Sequence, residues 1–494
     1  MVKKVLFLFC CMFAHVIYAQ NMMIKGTVID ANNDPLLGVT IMVKGTTTGT
    51  ITDVDGNFSI KGKTGETLIV SYIGMQTQEV VFRGQPLKIM LKDDAQALEE
   101  VVVVGYGTMR KKDLTGSVIQ VRPDKIANEN PKTVQDILRG TPGLAIGYNA
   151  DAKGGGSMNI RGQRSVYTDG NHNSPLLILD GMMFYGELSE INPDDIGQID
   201  VLKDASAAAV YGAKAANGVI IITTKKGKVG KVSISVNSSM EFNQPFVMPR
   251  FQTRYGTGVG GSFLDGSDRS WGEKLTVANY HGYDPKDDYF QTGIINTESV
   301  SFSTGTEKNQ TYASAAAINS KGITPNNKYS RYNFSVRNTT SFLNDKMTLD
   351  IAASYILQND RNMVNQGEYN NPLVEAYLYP RGNDWEDAKL YELYDPARKV
   401  YLQNWSIGDA AMTMQNPYWV NYRNLRENKK DRYMLSASLN YKILDWLTVS
   451  GRVSLDNANN DYTEKFYAST NTQLTEGSSR GLYAITKTSD KQLY

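Results

Sequence analysis

The chain has 494 residues, and its 52 Lys and Arg nearly balance 51 Asp and Glu, so the net charge is +1 at pH 7. This balance leaves no large net positive charge that would draw the chain to nucleic acid. Two cysteines and three histidines are too few for a disulfide framework, a cysteine-bound metal or most histidine-based hydrolytic sites. We therefore expect no enzyme activity, cofactor or metal.

The N-terminus has the pattern of a secretory signal peptide. Two lysines precede an apolar run from Val5 to Ala14, and Ala19 supplies a small residue for cleavage. We predict that residues 1–19 are removed, together with both cysteines. No later run approaches 18 apolar residues, so the exported chain is expected to be either soluble or a β-barrel.

Residues 22–92 are predicted to form a small β-sandwich. Short β-type runs alternate with turn clusters at intervals of about ten residues, as in sandwich domains. The runs are 24–28, 40–43, 58–60, 67–72, 78–81 and 88–91. The DVDG segment at 53–56 resembles the start of a calcium loop, but it lacks the remaining acidic ligands, so we predict a hairpin turn.

Residues 93–108 form a linker that contains one strongly β-type segment. Glu99 and Glu100 precede four valines, Val101, Val102, Val103 and Val104, and glycines stop the run. We predict an unpaired extended segment that a partner sheet can capture by edge addition. Alternatively, the valines are the buried last strand of the sandwich or the first strand of the following domain.

Residues 109–228 mix helices and strands, unlike the segments on either side. A strand is predicted within 110–121, followed by a helix with Asn130 as its N-cap and Pro131 at its first position that ends at Gly140. GGGSMNIRG at 154–162 resembles a phosphate-binding loop, but it leads into no long helix and lacks the ending of a P-loop. We therefore interpret it as a backbone bend at Arg161 and Gly162, with Arg161 as a structural hydrogen-bond donor. The segment 175–184 is predicted to be a strand that ends in a turn at Asp180 and Gly181.

The last part of this region, 199–227, is a compact α/β unit. A strand at 199–202 precedes Asp204, which is predicted to cap an alanine-rich helix. Turns at Gly212 and Gly218 then lead into a β-branched strand at 219–224.

From residue 229 the chain alternates apolar and polar residues. Eight segments show the pattern: 231–240, 297–304, 310–319, 329–341, 346–357, 432–441, 446–455 and 480–487. A soluble sandwich could show the same alternation. However, the polar face carries Arg337, Asp350 and Arg452, aromatic residues lie near segment ends, and long and short links alternate, all of which favour an outer-membrane barrel. GTGVGG at 256–261 matches a nucleotide motif literally, but no strand-turn-helix surrounds it.

The motifs LRGTPG, NIRG, LILDG and INPDDIGQIDVLKDASAAAVYG follow one another in an order that resembles the SusC/RagA family of TonB-dependent transporters of the Bacteroidota outer membrane. IKGTVIDANNDPLLGVTIMVKGTTTGTITDVDGNFSI is similar to the carboxypeptidase-regulatory-like domain of such proteins. The resemblance implies a mainly β chain with an N-terminal β-sandwich, an α/β plug at 109–228 and the first part of a large transmembrane antiparallel barrel at 229–494. It also implies that Glu99 to Val104 are the TonB box.

Barrels of plugged transporters have about 22 strands, and eight are visible, so we expect an N-terminal fragment of a longer transporter. A complete eight-strand barrel is the alternative, but its lumen leaves no room for a plug. The resemblance implies import of an oligosaccharide or a peptide, driven by TonB with ExbB and ExbD. It further implies a SusD-like lipoprotein lid and contact with outer-membrane lipid.

Flat amphipathic rings in the long links are candidate substrate contacts, above all Trp271, Trp385, Trp405 and Trp419. The alternative is that these rings pack loop against loop or against the lid. Two other functions stay open, namely a surface adhesin that does not transport and, less favoured, an exported enzyme with an accessory β-sandwich. Neither would require the valine segment.

Overall fold

The computed structural model describes most of the chain after residue 21. Within 22–494 it leaves out 31–33, 47, 73–74, 76, 92–100, 105–106, 111–117, 123–130, 150, 168–171, 204–210, 279, 281, 366, 406 and 408–414. The predicted signal peptide, Glu99, Glu100, the Asn130 cap and Asp204 lie outside the described residues. The chain divides into two compact units, one of residues 1–102 and 108–114 and the other of 103–107 and 115–494.

The first unit contains the β-sandwich. Its strands are β1 (Met22–Ile29), β2 (Thr40–Val43), β3 (Gly49–Ile51), β4 (Asn57–Gly62), β5 (Thr67–Ser71), β6 (Gln78–Val81) and β7 (Leu87–Met90). They form two sheets, in the orders β4-β1-β7 and β3-β2-β5-β6, around a core that includes Ile24, Ile41 and Leu68. Only β3 was not predicted. The DVDG segment is a turn, because Asp53 accepts hydrogen bonds from the backbone N–H groups of Asp55 and Asn57.

The four valines form strand β8 (Val101–Val104), as predicted. The prediction that this strand is unpaired is wrong, because β8 pairs with β9 (Gly107–Arg110) in a two-stranded sheet. An extended backbone presents a row of N–H and C=O groups that need partners, and the next segment of the chain supplies them.

The α/β region, which we call the plug, centres on a five-stranded sheet. The strands of the plug are β10 (Val118–Val121), β11 (Leu144–Ile146), β12 (Met158–Ile160), β13 (Leu176–Leu179), β14 (Met182–Met183), β15 (Ile196–Leu202) and β16 (Val219–Thr224). The sheet order is β10-β15-β16-β13-β14, with β13 and β16 parallel, and β11 pairs with β12. Short 3₁₀ turns lie at Leu188–Glu190, Pro193–Asp195 and Gly212–Ala215. The core includes Ile196, Ile199 and Ile220, which are fully buried.

The first plug helix, α1 (Val134–Leu138), begins later than predicted. Its N-cap is Thr133, and the carboxylate of Asp136 accepts a hydrogen bond from the Thr133 backbone N–H at 2.9 Å. This capping box satisfies the first free amide of the helix. Pro131 and Lys132 therefore precede the helix, and the prediction that Pro131 is its first residue is wrong.

The remaining strands are β17 (Gly230–Asn243), β18 (Gly258–Val259), β19 (Ser262–Phe263), β20 (Gly293–Gly305), β21 (Asn309–Lys321), β22 (Lys328–Phe342), β23 (Met347–Arg361), β24 (Glu392–Asp395), β25 (Val400–Gln403), β26 (Asn424–Leu444), β27 (Leu447–Phe466) and β28 (Leu482–Leu493). The eight predicted segments all lie in one antiparallel sheet, the wall, of order β17-β20-β21-β22-β23-β26-β27-β28. The sheet is open, with β17 and β28 at its edges. The GTGVGG segment belongs to the β18–β19 hairpin, where Gly260 and Gly261 take positive φ.

The two faces of the wall differ as the alternation predicts. Phe334, Val336 and Val453 are about half exposed on the outward face, whereas Asn333 and Arg337 point to the other face and contact the plug. The apolar sides of the strands therefore do not meet across a dry interior, as a soluble sandwich requires. An apolar outer face and a polar lumen are the pattern of a membrane barrel.

The links confirm most of the predicted parity. Turns at 306–308, 343–346 and 445–446 are short, and the links 244–292, 362–423 and 467–481 are long. The link at 322–327 is shorter than predicted because β21 and β22 extend by pairing up to Lys321 and Lys328. The long links carry the short helices α2 (Pro285–Asp288), α3 (Pro372–Leu378), α4 (Trp385–Lys389) and α5 (Pro417–Arg423). Among the described residues, no helix has the length and apolar character needed to cross a membrane.

Candidate functional site: the contact between plug and wall

The turn at Asp180 and Gly181 lies directly against the wall. Both residues take positive φ, which closes the tight turn between β13 and β14. The Arg337 guanidinium donates to Asp180 Oδ1 at 3.1 Å and binds Asp350 bidentately at 2.9 and 2.8 Å. Arg452 donates to the Asp180 carbonyl at 2.9 Å. The predicted motif residue Asp180 thus joins the plug to two wall arginines.

Two glycines make room for wall arginines. A Cβ at Gly181 would lie 2.0 Å from Arg452 Nη1, and a Cβ at Gly186 would lie 2.0 Å from Arg432 Nη1. No real Cβ approaches another heavy atom so closely, so the arginine or the turn would have to move. The plug therefore has glycine where the wall guanidinium groups enter it.

A second ion-pair cluster centres on Glu190, which is fully buried in the plug. Its carboxylate accepts from Lys430 Nζ at 2.8 Å and from Arg432 Nη1 at 2.9 Å. Arg432 also binds Asp456 bidentately at 2.8 and 2.5 Å. Burial acts to raise the pKa of Glu190, but the two wall cations outweigh burial and hold this pKa below its usual value.

The Arg432 guanidinium lies 4.2 Å from the centre of the Phe184 ring, which gives the cation an apolar plug surface to rest on. One end of this cluster opens to a polar cavity of about 310 Å³ lined by Glu190, Lys430 and Asp456. The cluster is therefore dry on one side and close to water on the other.

The INPDD segment adds neutral partners to the contact. Tyr312 donates to Asp195 Oδ1 at 3.0 Å, and Ser335 donates to Asp195 Oδ2 at 3.1 Å. Ser299 donates to Asp194. The acidic pair of this motif is thus a set of acceptors for wall hydroxyl groups, a role that the sequence pattern did not reveal.

A third ion-pair cluster has its cation on the plug. Lys153 Nζ lies 2.9 Å from Asp360 of the wall and 2.5 Å from Glu187 of the plug. Burial favours the neutral amine, but the two carboxylates outweigh it and raise the pKa of Lys153 above its usual value. We call these three groups the Asp180, Glu190 and Lys153 clusters.

A chamber of about 800 Å³ lies where β17 and β21 end and β20 begins. It is lined by the plug, the wall and the long links, and its walls include Tyr148, Phe246, Phe290 and Tyr377, with Lys132 and Glu241 among its charged groups. Burial lowers the pKa of Lys132 to about 8. This chamber can hold an amphipathic ligand.

The four candidate tryptophans occupy different environments. Trp271 is 61% exposed, whereas Trp385 is 3% exposed, Trp419 is fully buried and Trp405 is partly buried. Trp385 stacks on Tyr283 at 4.2 Å between ring centres, and Trp419 Nε1 donates to Thr470 at 2.9 Å. For Trp385 and Trp419 the structure corrects the predicted contact with substrate, because their faces are covered by other loop residues. Only Trp271 presents most of its ring to solvent.

The other predicted motif residues are backbone features. Arg161 and Gly162 take positive φ after β12, and the Arg161 N–H donates to the Gly143 carbonyl at 3.0 Å. The predicted bend is confirmed. Gly212 also takes positive φ, at the start of a 3₁₀ turn. Sequence reasoning missed Glu190, Asp195, Lys430, Arg432 and Asp456, whose only signal is a charge on the polar face of a strand or in a turn.

Among the described residues of the long link 362–423, Glu375 in α3 carries a buried carboxyl group. Its side chain is fully buried, Oε1 accepts from the Gln415 backbone N–H at 3.1 Å, and Oε2 has no hydrogen-bond partner within the described structure. Burial raises the pKa of Glu375 well above its usual value. The Glu375 carboxyl group is therefore uncharged over a pH range in which an exposed glutamate is ionised.

This buried acid predicts a pH-dependent loop. The folded loop binds a proton that the unfolded loop releases above about pH 4.3, so its stability falls as the pH rises from there towards the raised pKa. We expect Glu375→Gln, which keeps the shape without the ionisation, to remove this dependence and to stabilise the loop at pH 8. The measurement is hydrogen exchange of 372–378 at several pH values, corrected for intrinsic rates. An unchanged pH dependence in Glu375→Gln would contradict the assignment.

Comparisons with known proteins agree with the fold and with the order of the domains. A family model for a CarboxypepD_reg-like domain matches residues 24–103, and one for the TonB-dependent receptor plug domain matches residues 110–219. The TonB-dependent receptor SusC of Bacteroides thetaiotaomicron is 38% identical over 351 residues, which are 69% of this chain and 34% of that protein. The TonB-dependent receptor P3 of Formosa agariphila is 29% identical over 467 residues, 90% of this chain and 43% of that protein.

Among solved structures, the RagAB peptide importer in its open-open state has a TM-score of 0.56 at 22% identity, covering 75% of this chain and 44% of that one. This likeness concerns the fold. The chain spans about a third of the length of SusC. Three observations point to the same family. They are the order of sandwich, plug and wall along the chain, the seating of the plug on the polar face of the wall, and the similarity to these relatives. The chain belongs to the SusC/RagA family of TonB-dependent receptors.

Proposed function

We propose that the protein imports a large nutrient, an oligosaccharide or a peptide, across the outer membrane. The observation that carries this proposal is the seating of the plug on the polar face of the wall, because ion pairs that close a lumen must be opened for a solute to pass. The chamber beside the plug supplies a place for the solute to bind. Relatives named TonB-dependent receptors and a neighbour named a peptide importer support the same class of function.

We propose that the energy enters through Glu99 to Val104. Strand β10 is the part of the plug sheet nearest to this segment along the chain, it lies at an edge of the sheet, and only four residue pairs join it to β15. The ion-pair clusters instead hold residues 153, 180 and 190. A pull on the linker 93–108 therefore acts first on an edge strand held by four residue pairs, while the ion pairs keep the rest of the plug in register.

The partners follow from the same proposal. TonB, with ExbB and ExbD, would pull on the valine segment from the periplasm, and a SusD-like lipoprotein would cover the long links on the outside. Binding of a purified TonB C-terminal domain to a peptide of residues 97–108 tests the first partner. An adhesin or an exported enzyme would not bind it.

Deletion of residues 99–104 tests the function. The readout is uptake of a labelled oligosaccharide or peptide whose entry depends on this protein. We expect this uptake to fall to the level of cells that lack the protein, because the linker 93–108 loses the strand that its partner captures. Binding of the same molecule at the cell surface should remain. The matched control deletes residues 93–98, which shortens the linker equally and keeps the valines. Uptake unchanged by the first deletion would contradict the proposal.

A further inference from the structure

The three ion-pair clusters share one arrangement. In each of them the central cation has a carboxylate on its own side of the contact and a second carboxylate across it. Arg337 and Asp350 are both in the wall, as are Arg432 and Asp456, whereas Lys153 and Glu187 are both in the plug. The partners across the contact are Asp180, Glu190 and Asp360, respectively.

The geometry favours the partner on the same side for the two arginines. Arg337 and Arg432 each bind their wall aspartate through two parallel hydrogen bonds and contact the plug carboxylate through one nitrogen. Bidentate pairs of this kind are the strongest and best oriented ion pairs of arginine. The arginine therefore stays fixed in the wall whether or not the plug carboxylate is present.

The carboxylates that cross the contact also have donors on their own side. Asp180 accepts from the Thr224 backbone N–H at 3.0 Å and from its hydroxyl at 2.8 Å. Glu190 accepts from the Glu187 N–H at 3.1 Å, and Asp360 accepts from Gln358 Nε2 at 2.9 Å. After separation, each carboxylate keeps a hydrogen bond within its own domain.

Two cations depart from this rule. Lys430 pairs with Glu190 alone among the described residues, but it borders the polar cavity and can be hydrated there. Lys226, just after β16, pairs with Asp350 and is about half exposed. Neither is left in a dry site when the plug moves.

We infer that the plug is held by shared ion pairs whose arrangement allows release: each central cation keeps a carboxylate on its own side, so no central cation is left without a counter-ion when the plug moves. Removing one partner of a buried pair that has no other counter-ion is strongly destabilising. Asp350 and Asp456 avoid this penalty for Arg337 and Arg432. Asp350 and Asp456 are positioning residues that let the plug leave and return, a role that rests on the proposed import.

The test is a mutant cycle on plug opening. Hydrogen exchange of backbone amides 188–202 in the full-length purified protein, without ligand or energy source, measures the opening equilibrium. Glu190→Gln should increase opening modestly, because Arg432 keeps Asp456. In an Asp456→Asn background, Glu190 is the one remaining carboxylate in the cluster. The same Glu190→Gln change should then increase the opening equilibrium constant by a factor about tenfold larger.

The matched background is Asp461→Asn, in the same strand, where the aspartate pairs with Lys487 on an exposed part of the wall. There the effect of Glu190→Gln should equal that in the unchanged protein. An equal or smaller effect of Glu190→Gln in the Asp456→Asn background would overturn the inference, as would an equal enlargement in Asp461→Asn. If Asp456→Asn does not assemble, the same comparison is made at the Asp180 cluster. There the effect of Asp180→Asn on plug opening should be larger in an Asp350→Asn background than in the unchanged protein. Because no transport is measured, failure of import and failure of this inference are separate results.

Discussion

Arg432→Ala is expected to loosen the plug by about 3–5 kcal/mol, the usual cost of removing one member of a buried ion pair. The change removes the guanidinium shared by Glu190 and Asp456 and leaves two carboxylates in a largely buried site, with Lys430 as the nearest cation. It also takes away the cation that rests on Phe184. Hydrogen exchange of amides 188–202 should become faster, while exchange within the wall strands stays slow.

Arg452→Ala is the matched control for this change. Arg452 also lies on the plug-facing side of the wall, but it makes a hydrogen bond to a backbone carbonyl, that of Asp180, and is exposed. A single hydrogen bond contributes about 1 kcal/mol or less in such a place. Equal effects of Arg432→Ala and Arg452→Ala would show that the Glu190 cluster does not seat the plug.

Trp419→Ala is expected to destabilise the long links by about 3–5 kcal/mol, the range for truncating a buried aromatic residue. The indole is fully buried, and its N–H joins the link 362–423 to Thr470 in the link 467–481. Truncation removes the packing and leaves the Thr470 hydroxyl without this donor. Exchange of amides in both links, 417–423 and 470–475, should rise together.

Trp271→Ala provides the contrast, since this ring is mostly exposed. We expect its loss to leave loop exchange unchanged and, if the ring contacts substrate, to weaken surface binding. Trp419→Phe keeps most of the side-chain volume. Amide exchange of the links in this variant should be faster than in the unchanged protein and slower than in Trp419→Ala. Loop exchange unaffected by Trp419→Ala would contradict the packing assignment.

The alternation of polar and apolar residues was enough to predict the wall. In a strand, neighbouring side chains point to opposite faces, so a period of two assigns faces without knowledge of the fold. Phe334 and Val336 face outward and Asn333 and Arg337 face the plug, as predicted. The turn at Asp180 and Gly181 could be predicted for a similar local reason, since aspartate and glycine adopt the positive φ that the turn requires.

The helix start and the valine strand show where local patterns fell short. Asn130 and Pro131 form a good helix start in isolation, but Thr133 and Asp136 provide a capping box three residues later. The valines were expected to be unpaired, and β9 supplies the partner. At both places, neighbouring residues that the pattern did not take into account supply the backbone hydrogen bonds.

The sequence by itself determined the order of sandwich, plug and wall, the face on which each wall residue lies and the tight turns, because these depend on the periodicity and conformational preferences of neighbouring residues. Only the tertiary structure decided that Glu190 meets Lys430 and Arg432, which lie more than two hundred positions away, and that Trp419 is covered whereas Trp271 is not. A charge on a polar face looks the same along the chain whether it meets water or a buried partner. The packing of distant segments makes that difference.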